Sequence, residues 1–148
     1  MRIRRVLHAT DFSPASTRAF RYATDLATMH RAQLVILHVM TPPALGMPGE
    51  GYVTPQIYDT LEASARRQAG KRLDALVARA RTAGARARGM LLEGVPHELI
   101  VRAVRSQKAD LLVIGTHGRS GLAKFFLGSV ASRLVSTAGC PVLTVRGR

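Results

Sequence analysis

Asp110-Leu111-Leu112-Val113-Ile114-Gly115-Thr116-His117-Gly118-Arg119-Ser120-Gly121 runs from a short apolar segment into a glycine-rich loop. Gly128-Ser129-Val130 then opens a helical pattern. Read together, this is a strand, a loop and a helix N-terminus. Gly115 and Gly118 lack a Cβ and can let backbone approach a ligand. Gly128-Ser129-Val130 offers free N–H groups and a hydroxyl where the helix dipole favours an anion such as phosphate. The stretch from Arg119 to Leu127 can fold over that anion, and Arg119 or Lys124 could add charge.

Outward from this stretch, five apolar runs alternate with four helical patterns. Ile3 to Thr10 is the first run. Ser13 then supplies an N-cap, and Pro14 suits the first helical position, where its missing N–H costs nothing. Ala15, Ala19, Ala23, Leu26 and Ala27 follow at helical spacing. Leu34 to Val39 is almost continuously apolar, as in a strand buried on both faces. Residues 41–55 hold four of the seven prolines and three glycines and read as a loop. Ile57, Leu61, Ala65, Ala69, Leu73, Leu76 and Ala80 mark a long amphipathic helix ending near Gly84. Its other face carries Arg66, Arg67, Lys71, Arg72, Arg79 and Arg81. Ala85 to Leu92 alternates small residues with Arg86 and Arg88, which suits an edge strand. Pro96 opens a helix with Glu98 near its positive end and Leu99, Ile100, Ala103 and Val104 as its buried stripe. Val130, Ala131, Leu134 and Val135 mark the last helix, stopped at Gly139, before a final strand from Val142 to Val145. Strict β-α alternation predicts one α/β domain over residues 1–148, a parallel sheet with helices on both faces.

In such sheets ligands bind beyond the carboxyl ends of the strands, where the strand order reverses. The residues to watch are therefore Ala9-Thr10-Asp11-Phe12-Ser13 after the first strand, His38-Val39-Met40 after the second, and Gly115 to Gly121 with Gly128-Ser129-Val130 after the fourth. The segment is not a Walker A loop, since no Gly-Lys-Ser/Thr occurs. The dinucleotide fingerprint is also missing after the first strand. His8, His38 and His117 could suggest zinc, but no acidic or cysteine ligand supports them, and no metal site is expected. Cys140 is the single cysteine, so an internal disulfide is excluded.

A formal net charge of +13 favours anionic partners in general. No apolar run approaches the roughly 18–20 residues of a membrane span. The basic start, Met1 to Arg5, is not followed by an apolar segment of signal-peptide length, because His8, Thr10, Asp11 and Ser13 interrupt it. The expectation is a cytoplasmic protein with no membrane partner.

The spacing Gly115-x2-Gly118-x9-Gly128-Ser129 resembles the G-2x-G-9x-G-(S/T) signature of ATP-binding universal stress proteins. The resemblance covers the whole chain. Ala9-Thr10-Asp11-Phe12-Ser13 is similar to the family's first strand end and Leu37-His38-Val39 to its second. Gly94-Val95-Pro96 resembles its Gly-x-Pro turn and Gly139-Cys140-Pro141-Val142 its last strand entry. The resemblance implies a Rossmann-like, adenine nucleotide alpha hydrolase-like fold with strand order 3-2-1-4-5. It implies ATP across strands one and four. Asp11 would lie near ribose or adenine with Thr10 beside it, and Val39 would hold adenine through its backbone. Gly115, His117, Gly118, Arg119, Gly128, Ser129 and Val130 would surround ribose and phosphates. Mg²⁺ could accompany the phosphates through waters and phosphate oxygens. A homodimer through the Val142–Val145 edge is implied as well.

These signals cradle phosphate and ribose but do not count phosphates, so ADP, AMP and cyclic nucleotides stay in the set. No nucleophile–base pair or paired carboxylates stand out. The expected role is a nucleotide-dependent stress or signalling regulator, with slow ATP hydrolysis or self-phosphorylation at Ser129 as the limit of its chemistry. The alternative is a nucleic-acid-binding protein using the arginine-rich face of residues 66–81. That reading lacks interleaved aromatics and any helix-turn-helix pattern.

Overall fold

A computed structural model describes residues 2–42, 54–116 and 128–147. The elements follow the predicted alternation: β1 (Arg5–Ala9), α1 (Pro14–Met29), β2 (Gln33–Met40), α2 (Pro55–Thr82), β3 (Arg86–Glu93), α3 (Pro96–Ser106), β4 (Leu111–Gly115), α4 (Ser129–Thr137) and β5 (Val142–Val145). The five strands form one parallel sheet in the order β3-β2-β1-β4-β5. The order reverses between β1 and β4, so the ends of these two strands flank the switch point.

Burial on both faces explains the unbroken apolar strands. Val6, Leu34, Ile36, Leu111 and Val113 pack on one side with Phe20, Ala23 and Ala27 of α1 and Leu73, Val77 and Ala80 of α2. Leu7, Val35, Leu37, Leu112 and Ile114 pack on the other with Ile100, Ala103 and Val104 of α3 and Ala131 and Leu134 of α4. The caps behave as their chemistry demands. Ser13 Oγ accepts from Ser16 N at 3.3 Å and Pro14 takes the first helical position of α1. Thr54 Oγ1 does the same for Ile57 N at the start of α2. Gly84, Gly94 and Gly139 all have positive φ where helices or strands end, a conformation that suits glycine.

Two predicted apolar stripes are corrected. In α4 the buried residues are Ala131 and Leu134, while Val130 and Val135 are exposed. Ala131 and Leu134, three residues apart, share the face turned to the sheet, and Val130 and Val135 beside them face away. In α2 the buried set is Ala69, Leu73, Val77 and Ala80, whereas Ile57, Leu61 and Ala65 are exposed. The helix is 28 residues, about 42 Å at 1.5 Å per residue. An eight-residue strand such as β3 spans only about 26 Å. The first turns of α2 therefore reach past the sheet. β3 is an edge strand, as its alternation predicts.

Candidate functional site

The loop after β1 is built from its own hydroxyls. Phe12 N donates to Thr10 Oγ1 at 3.0 Å, and Thr10 Oγ1 lies 3.0 Å from Ser16 Oγ. Ser16 Oγ in turn donates to Ser13 O at 3.0 Å. Since that bond uses the Ser16 proton, Thr10 donates to Ser16, and one chain of bonds ties the loop to the first turn of α1. Ser13 N donates to Asp11 Oδ1 at 3.0 Å, which makes an Asx turn. Asp11 thus serves the turn and also lines the cleft. Thr10 N donates to Leu37 O at 2.9 Å, and Thr10 O accepts from His38 Nδ1 at 2.7 Å, which locks the end of β1 to the end of β2.

Phe12 stands at φ 62, the left-handed region that costs a bulky residue roughly 1–3 kcal/mol. Its ring centroid lies 4.4 Å from that of His38. The Arg72 guanidinium of α2 sits 4.2 Å above the Phe12 ring. These contacts hold the strained residue in place and bring α2 to the site.

The opposite wall comes from β4 and α4. Gly128 N donates to Thr116 O at 2.8 Å, and Thr116 N donates to Val145 O at 2.9 Å, which fixes α4 over the end of β4. Gly128 is the N-cap of α4, and among the described residues no side chain caps the helix. Ser129 and Val130 at its first turn are exposed. Helix starts of this kind present N–H donors and positive potential to an anion. Gly115 has a different reason to be glycine from the one its loop position suggests. A Cβ there would lie 2.8 Å from the carbonyl carbon of Ala15 and 2.9 Å from Ser16 N, so it lets α1 approach β4.

Between these walls lies a cleft of about 570 Å³. This is within the roughly 300–1,000 Å³ of small-molecule and cofactor sites. It is lined by Thr10, Asp11, Val39, Gly115, Gly128, Ser129 and Val130, all expected from sequence. His117, Gly118 and Arg119, also expected there, lie outside the described residues. Sequence reading gave no ligand role to Phe12, Arg72, Pro96 or Ile100, which line the cleft as well. Pro96 and Ile100 were read as helix start and core. Arg72 was assigned to the polar face of α2, although it adjoins the buried Leu73.

The basic face of α2 is less open than its sequence suggests. Arg66 pairs with Glu62 and Glu93, and Arg79 lies 5.4 Å over the Phe20 ring. Arg81 Nε donates to Ala87 O at 3.0 Å. With Arg72, four of the six cations of that face are engaged within the chain.

Beneath the cleft, His8 is fully buried in β1. Its Nδ1 donates to Val113 O at 3.0 Å, and its Nε2 has no hydrogen-bond partner. Burial pushes its pKa down to about 4, so the ring is neutral near pH 7. Among the described residues no group of three or more His, Cys, Asp or Glu side chains gathers to hold a metal ion. Also among the described residues, no helix is long and apolar enough to cross a membrane.

The sequence model of the Universal stress protein family matches residues 2–146. The chain belongs to the universal stress protein family. It is similar to universal stress protein MJ0531 of Methanocaldococcus jannaschii, with 32% identity over 97% of this chain and 82% of that one. Among solved structures, protein MJ0577 of the same archaeon superposes with a TM-score of 0.86 at 22% identity, covering 100% of this chain and 99% of that one. At that identity the likeness is one of fold. A universal stress protein solved in complex with cAMP superposes with a TM-score of 0.75 at 26% identity, covering 100% of both chains. The five-stranded parallel sheet of this universal stress protein domain is thus the family's architecture.

Proposed function

We propose that the cleft binds an adenine nucleotide, ATP with Mg²⁺ in the working state, and that occupancy biases dimerisation or partner choice. One observation carries the reading: the Asp11 turn and the N-terminus of α4 at Gly128 and Ser129 face one cleft at the switch point of the sheet. The cAMP complex of a family member supports an adenine nucleotide as the ligand class. Val39 holds adenine through its backbone, and Asp11 and Thr10 meet the ribose. Gly115, Gly128, Ser129 and Val130 surround ribose and phosphates, with His117, Gly118 and Arg119 completing the loop. Mg²⁺ held by the phosphates would supply charge neutralisation there. The protein works as one domain in the cytoplasm, as a homodimer through Val142–Val145 of β5, which stands last in the sheet, with β4 as its one strand neighbour among the described residues. It regulates rather than catalyses with fast turnover.

Nucleotide-free protein titrated with ATP, ADP, AMP and cAMP, with and without Mg²⁺, and sedimented in parallel, tests this. The expected result is saturable binding, Mg²⁺-dependent for ATP, and a dimer whose association constant shifts with ATP. A monomer at all concentrations, or an association constant indifferent to nucleotide, contradicts the regulatory part.

A further inference from the structure

Among the described residues lining the cleft, Arg72 is the one lysine or arginine. It is exposed, yet its guanidinium is not loose, because it is held 4.2 Å above the Phe12 ring. Phe12 is itself fixed by a left-handed backbone and by contact with His38, the neighbour of Val39. The Arg72–Phe12 contact therefore stands at the β1–β2 end of the cleft. The Gly128 helix start stands at the β4–β5 end, where Gly128 bonds Thr116 and Thr116 bonds Val145. These are opposite ends of one groove. A guanidinium that serves only phosphates would belong at the second end.

We propose that Arg72 is a further binding residue for the base: its guanidinium lies between the Phe12 ring and the purine of the bound nucleotide and serves as a stacking platform. The inference rests on the nucleotide reading of the cleft. A guanidinium is planar and weakly hydrated, and it stacks on aromatic faces where an ammonium cannot. Nucleic bases stack on arginine planes as they do on aromatic rings. Arg72 is in contact with Phe12, is exposed, and lines the same cleft as Val39. Phe12 then has a role that repays its strained backbone: it holds the platform level.

The test is calorimetric titration of the full chain with adenosine, AMP and ATP, using the parent, Arg72→Met and Arg72→Lys. Methionine keeps an apolar stem against Phe12, and circular dichroism confirms the fold. A stacking contact worth about 1–3 kcal/mol per base corresponds to a loss of roughly 5- to 150-fold. The expected result is a similar loss for adenosine, AMP and ATP in Arg72→Met, with little rescue by Arg72→Lys. A loss that grows with phosphate number, and is restored by lysine, overturns the platform in favour of a charge contact. Unchanged affinity for all three ligands overturns it in favour of a clamp between α2 and the β1–α1 loop. In both cases the parent still binds and the nucleotide reading stands. If the parent binds none of the three, the nucleotide reading falls and the inference with it.

Discussion

His8 shows how one residue's surroundings set its chemistry. A histidine in the middle of the central strand is neutral because charging it would place a cation in the core. In the unfolded chain its pKa returns to about 6.5, against about 4 when folded. As pH falls below 6.5 the unfolded state binds the proton first, so stability is lost between pH 6.5 and about 4. From pH 7 to pH 5 this one group accounts for about 2 kcal/mol. Urea midpoints at the two pH values should therefore fall less for His8→Gln than for the parent. Equal slopes would mean that His8 takes up its proton without unfolding. The pKa of His8 was not legible in the sequence, which shows only that His8, His38 and His117 lack a supporting acidic or cysteine ligand for zinc. What decides the matter is burial in the folded sheet, which outweighs the opposite pull of the Val113 carbonyl, from a strand 105 residues later.

At the scale of elements, local chemistry wrote most of the fold. Ser13-Pro14 and Gly94-Val95-Pro96 announce their helices because caps and proline act within one turn. Their boundaries agree with the structure to within a residue or two. The strand order did not come from periodicity, which gives only alternation; it came with the family signature. Packing partners were least legible. Val130 and Val135 look like core by hydrophobicity, yet Ala131 and Leu134 face the sheet. Arg72 and Phe12 are 60 positions apart, so no local pattern can join them at the cleft. The overhang of α2 gives a direct check. Leu73→Ala removes a side chain packed between α2 and the sheet and should cost about 2–5 kcal/mol in denaturant unfolding. Leu61→Gln, on the part of the helix beyond the sheet, should stay within about 0.5 kcal/mol. A large cost at Leu61 would mean that another surface covers it.

For the whole molecule, the sheet's reversal between β1 and β4 is what gathers residues far apart in sequence. It sets the Asp11 turn opposite the start of α4 and leaves α1 and α2 on one side, α3 and α4 on the other. The net charge of +13 suits an anionic ligand without choosing one. The choice lies in the cleft. The most direct test is titration of nucleotide-free protein with ATP and Mg²⁺, beside Gly128→Val. Gly128 has φ −58 and ψ 155, an extended backbone that valine adopts, so the variant should fold, with circular dichroism as the check. The account predicts saturable binding by the parent and at least about ten-fold weaker binding by the variant, whose side chain crowds the phosphate end. A parent that binds no nucleotide, or a folded variant that binds as tightly, would contradict it.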